Sequence, residues 1–134
     1  QIVSKLISGG IETPIFLTTI GGFDTHANQL TQHANLWKTI SEAVTAFQAD
    51  LEDMNLADSV SVVTFSEFGR TVKQNGTQGT DHGTAAPMFV IGKTVRGGLI
   101  GANPNLKILE ANGELKFNYD FAKFIRPSYG IIWA

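Results

Sequence analysis

The chain has 134 residues, enough for one domain and few for two, and its 43% hydrophobic content excludes a disordered or fibrous polymer. Ten basic residues stand against twelve acidic ones, a net charge of -2, which argues against a nucleic-acid or anionic-membrane partner held by bulk electrostatics. Only 16% of residues are charged, against roughly 25% in a typical soluble domain, so part of the surface is expected to be covered.

The absence of cysteine excludes disulfides, thiolate metal sites and cysteine nucleophiles, and leaves the redox compartment open. No apolar run approaches the roughly 20 residues that cross a bilayer, so no membrane span is expected. The chain opens on Gln1 with no basic stretch leading into an apolar one, and it reads as a piece of something longer.

In chain order, Gln1 to Ser8 reads as the tail of a helix, with Ile2, Val3, Leu6 and Ile7 at helical spacing. Thr13 to Ile20 is β-branched and aromatic and bounded by Pro14 and Gly21-Gly22, the pattern of a buried strand. From Gln29 to Met54, Leu30, Trp37, Ile40, Val44, Phe47, Leu51 and Met54 recur every three or four residues, one stripe of a long amphipathic helix. A turn at Asn55 to Ser59 leads to a second strand, Val60 to Phe65. Strand, long helix and strand make a βαβ unit, which implies parallel pairing.

Thr71 to Gly83, polar and glycine-rich, reads as an ordered surface loop, and Pro87 to Ile91 as a third apolar run. Lys107 to Phe117 splits around Asn112-Gly113, which predicts a hairpin with a type I′ turn. Tyr119 to Trp133 reads as a helix broken or kinked at Pro127.

Polar clusters recur in one structural place. Asp24 and His26 follow the first strand, Glu67 the second, and Asp81 with His82 ends the loop into the third. The carboxyl ends of parallel strands line one crevice, where all three clusters would meet. Asp24 and His26 stand two apart, so in extended chain both side chains point the same way. Carboxylate oxygens with imidazole nitrogens suit zinc, manganese or iron(II) better than calcium or magnesium. Taken singly, each residue has a plainer use: Asp24 or Thr25 as a helix cap, Glu67 as a partner for Arg70. Together they point to a metal site. Arg70 either clamps an anionic oxygen or anchors the loop. His33 reads as a solvated or partly packed side chain. No dinucleotide or P-loop fingerprint occurs, and Ser66, Thr25 and Thr80 lack any diagnostic nucleophile setting.

Gly21-Gly22-Phe23-Asp24-Thr25-His26, Val63 to Thr71, Asn75-Gly76, Gly79-Thr80-Asp81-His82-Gly83 and Arg96-Gly97-Gly98 resemble the DUF1501 family, uncharacterised bacterial proteins of the alkaline phosphatase-like superfamily. The resemblance implies a partial alkaline phosphatase-like α/β fold: one domain over 1–134, the C-terminal portion of a longer one, with a mostly parallel sheet, flanking helices and a C-terminal hairpin. It implies metal ligation by Asp24, His26 and His82, with Glu67 belonging to a second ion, and a nucleophile absent from this chain. The superfamily separates its Asp and His by three residues, whereas here only Thr25 intervenes, so Asn28 or Gln29 stands at the expected ligand position. Where relatives carry Asp-His, this chain has Glu67-Phe68.

The expected function is the metal-site portion of a metal-dependent, sulfatase- or phosphatase-like hydrolase of phosphate or sulfate esters, inactive alone. Its cofactor would be a divalent metal, zinc or manganese, and Arg70 would bind a small anionic ester. The alternative is a non-catalytic binding or scaffold protein of the bacterial cell envelope. The family resemblance implies export to the periplasm. Uncovered sheet edges and helix faces predict a homo-oligomer.

Overall fold

The computed structural model describes residues 2–120. Helix α1, Ile2–Ser8, ends in Gly9-Gly10 and packs on the second helix, where Ser4 Oγ donates to Asp50 Oδ2 over 2.8 Å. Helix α2, Gln29–Asp53, fills the span that the apolar stripe predicts. It begins after Asn28, which turns the chain in the left-handed conformation at φ 47°.

The far end of α2 closes in a Schellman motif. Asn55, at φ 57°, donates its N–H to Glu52 O (3.0 Å), and Leu56 N–H reaches back to Leu51 O (2.8 Å). Leu51, fully buried, and Ala57, nearly so, are the buried hydrophobic residues of the described core. A second apolar contact lies mid-helix. Trp37 meets Phe23 and Phe89 edge to face at centroid distances of 5.9 and 5.4 Å, and donates its indole N–H to His33 Nε2 over 3.1 Å.

Among the described residues there is no mostly parallel sheet of the expected alkaline phosphatase-like fold. The described strands form two small antiparallel ladders. Strand β1, Val62–Val63, pairs with β4, Val90–Ile91, in the register Val62 with Ile91 and Val63 with Val90. Strand β2, Gly69–Arg70, pairs with β3, His82–Gly83, in the register Gly69 with Gly83 and Arg70 with His82. Thr13–Ile20, the first strand of the expected βαβ unit, joins neither ladder and is exposed apart from half-buried Phe16. Its β-branched content suits a strand, yet strand formation needs a neighbouring backbone, and none pairs with it among the described residues. The second and third apolar runs pair instead with each other. An antiparallel return needs no helical crossover.

The C-terminal hairpin is likewise reduced to its turn. Gly113 N–H donates to Glu110 O and Glu110 N–H to Glu114 O, both at 2.8 Å. Only Gly113 in this turn has a positive φ, 82°, so the turn is a three-residue loop closed by a left-handed glycine and not type I′. No strand flanks it. The helix expected over Tyr119 to Trp133 lies outside the described residues beyond Asp120. Among the described residues no helix is long and apolar enough to cross a membrane.

Candidate metal centre

The centre is built where three chain segments are stitched together. The stretch 23–27 enters α2; β2 carries Gly69 and Arg70; the loop 71–81 returns to β3. The β2–β3 ladder sets Arg70 beside His82, and an isolated antiparallel bridge joins Ala27 to Gln78. Side chains of the loop complete the stitching. Asn75 Nδ2 and Thr77 Oγ1 both donate to the His26 carbonyl, at 2.9 and 2.6 Å. Asn75 Oδ1 accepts from the N–H groups of Thr77 and Gly79, each at 3.0 Å, which holds the loop in a tight Asx-type turn. Gly79 lies so close to the 26–27 peptide that a Cβ there would fall 2.2 Å from His26 C and O.

Buried Thr25 and the first residue of α2 add a third stitch. Gln29 Nε2 donates to Thr25 Oγ1 (2.8 Å), while Gln29 Oε1 accepts from Thr80 Oγ1 (3.1 Å). Gln29 is therefore occupied as a bridge. Asn28 serves as the left-handed entry to α2, with its N–H donated to Thr77 O.

These constraints bring together Asp24, His26 and His82. One donor atom from each lies within 4.8 Å of the others, and all three side chains are exposed. His82 Nε2 stands 2.7 Å and His26 Nε2 2.8 Å from the same Asp24 Oδ1. The hydrogen bond with His82 is the main cause that holds the Asp24 carboxyl below the usual carboxylate range; partial desolvation opposes it, and the charges of His26, His82 and Arg70 add to it. Glu67 is exposed and stands outside this group.

Arg70 Nη1 donates to Thr80 O over 2.8 Å and Nη2 to Phe23 O, so the fork ties together the segments that carry Asp24 and His82. Nη2 also lies 3.5 Å from Asp24 Oδ1, which leaves a positive charge at the edge of the pocket. Phe68 lies flat on His82, with ring centroids 4.0 Å apart and planes 4° from parallel, and the Arg70 guanidinium covers Phe68 at 4.9 Å. His26 stacks beyond His82 at 5.0 Å.

Sequence reasoning placed Asp81 in a cluster but assigned it no role. Its Oδ1 lies 3.1 Å from His26 Nδ1 and accepts from Asn75 Nδ2 at 3.2 Å. The hydrogen bond from Asn75, then that from His26, holds the Asp81 carboxyl below its ordinary range. Phe68 was also missed. The signal available for both was adjacency: each stands next to a candidate ligand.

The arrangement has a chemical consequence at His26. One ring nitrogen faces the Asp81 carboxylate and the other faces the Asp24 carboxylate. A neutral imidazole carries one N–H, so it satisfies one of these contacts and turns a lone pair on the other. A metal ion at the 2.8 Å contact with Asp24 would reconcile the two acceptors. Two nitrogens and one oxygen on an exposed surface fit zinc or manganese by donor chemistry.

No curated protein and no solved structure matches the chain. The model of the DUF1501 family, described as a protein of unknown function, matches residues 11–122, which include every residue of the pocket, and the chain belongs to that family.

Proposed function

We propose that the chain binds a divalent transition metal, zinc or manganese, through Asp24, His26 and His82, and supplies the metal-site portion of a hydrolase of phosphate or sulfate esters. The observation that carries this reading is the convergence of His26 Nε2 and His82 Nε2 on Asp24 Oδ1 while His26 Nδ1 faces a second carboxylate. The ester chemistry rests on the sequence resemblance to the alkaline phosphatase-like superfamily alone, since the parallel sheet of that superfamily is not among the described elements. A bound ion there supplies Lewis acidity toward a phosphoryl or sulfuryl oxygen. Asp24 and the two histidines hold that charge, and Arg70 adds a fixed positive charge 3.5 Å from Asp24 that favours an anionic substrate. On the same reading the protein works in the periplasm.

A second reading, a non-catalytic binding or scaffold protein of the cell envelope, is favoured by the state of the hydroxyls. Ser66 Oγ donates to Phe68 O, Thr25 Oγ1 to Phe23 O and Thr80 Oγ1 to Gln29, so none of the three is held by a base for attack. On the catalytic reading, none of these three hydroxyls is the nucleophile.

The deciding experiment is elemental analysis of protein purified without chelator. About one zinc or manganese per chain is expected, falling to background in Asp24→Ala and His82→Ala; a metal-free wild type would sink the proposal. Assays of phosphate and sulfate esters on the same preparation then separate the two readings. The chain alone is expected to be inactive, and turnover at ordinary enzymatic rates would overturn the assignment of the nucleophile elsewhere.

A further inference from the structure

Asp81 has the features of a built partner for an imidazole. Its backbone is pinned to Thr71 from both sides: Thr71 N–H donates to Asp81 O (3.0 Å), and Asp81 N–H donates to Thr71 Oγ1 (3.1 Å). Its carboxylate is pinned by Asn75 Nδ2, which also donates to the carbonyl of His26. One amide thus fixes the distance between the Asp81 oxygen and the His26 backbone. The imidazole spans the gap, with Nδ1 3.1 Å from Asp81 Oδ1 and Nε2 2.8 Å from Asp24 Oδ1.

We infer that Asp81 is the positioning residue of the pocket: held by Asn75 and Thr71, it accepts the Nδ1 proton of His26 and so presents Nε2, as a lone pair, to the cation beside Asp24. The physical reason is that a ring nitrogen binds a metal only when unprotonated, and the hydrogen bond made by the other nitrogen selects the tautomer and stops the ring from turning. Among the described residues no carboxylate bonds His82 Nδ1, and the contact of His82 with Asp24 is made by Nε2. Its ring is oriented by the face of Phe68 instead, at 4.0 Å. The two histidines are therefore steered by different means, one by a hydrogen bond and one by stacking.

The inference rests on the metal reading for its purpose, and two measurements on the full chain separate the two. Long-range proton–nitrogen correlation spectra of the metal-free wild type report the tautomer directly. In buffer alkaline enough to keep the ring singly protonated, His26 is expected as the Nδ1–H tautomer, and the Nε2–H tautomer overturns the inference with no variant needed. Zinc affinity, by competition with a chromophoric chelator, is expected to fall about tenfold or more in Asp81→Asn, with loss of the Nδ1–H signature. Unchanged affinity in a folded Asp81→Asn protein overturns it. A wild type that takes up no zinc sinks the metal reading, whereas an Nδ1–H tautomer in that same protein still supports the hold of Asp81 on His26.

Discussion

His26 is gripped twice, once through its carbonyl by Asn75 and Thr77 and once through its ring between Asp24 and Asp81. The first grip depends on Gly79, because only a residue without a side chain lets the loop backbone lie against the 26–27 peptide. Gly79→Ala is expected to destabilise the chain by about 1–3 kcal/mol or more and to weaken zinc binding together with it. Thermal denaturation and zinc titration test this, and an unchanged midpoint would mean the loop yields freely. At this scale the sequence revealed donor types well: Asp24, His26 and His82 are chemically distinctive and cluster beside glycines. It did not reveal direction. Which way Asp81 points depends on hydrogen bonds across a loop, and the engagement of Arg70 with Thr80 O and Phe23 O depends on where those carbonyls arrive.

Helix α2 was legible in full because its 3.6-residue periodicity is a local property, present in the chain before any partner is met. Its end is fixed by an equally local device. Asn55 adopts the left-handed conformation that the Schellman motif requires, so Asn55→Ala is expected to cost about 1 kcal/mol and Asn55→Gly to raise the urea midpoint slightly. Just beyond, Lys93 Nζ lies 2.9 Å from Asp58 Oδ2 and ties the turn after α2 to the segment after β4. The hydrogen bond to Asp58, more than the Coulombic attraction, raises the Lys93 pKa above its ordinary value. A raised lysine contributes stability that is complete below its unfolded pKa and vanishes as pH climbs through the folded one. The small difference in melting temperature between wild type and Lys93→Met is thus expected to persist at pH 7 to 9 and to close in strongly alkaline buffer. Pairing direction was not legible. Val60 to Phe65 and Pro87 to Ile91 are strand-like by composition, but whether they meet each other antiparallel or flank a crossover helix is decided by contacts that residue spacing does not carry.

Across the molecule, little apolar surface is enclosed. Leu51 and Ala57 are the buried hydrophobic residues among those described, while Ile11, Ile15, Leu17, Ile20, Leu99 and Ile100 are all exposed, several by more than 60%. Such a surface favours association, most readily along Thr13–Ile20, whose unpaired backbone offers a template for another strand. Light scattering is expected to report a mass above 14.5 kDa that grows with concentration, and a clean monomer at high concentration would contradict it. The pocket itself joins positions 58 residues apart, Asp24 and His82, with the whole of α2 in the intervening arc. Whatever cation settles there acts as a clip across that arc, absent from the denatured chain and therefore coupled to folding by mass action. At a hundred times its dissociation constant it would add about 2.7 kcal/mol. Because closing a doubled arc costs only about 0.6 kcal/mol more, insertions beside exposed Ser59, clear of buried Ala57, should leave that coupling nearly intact.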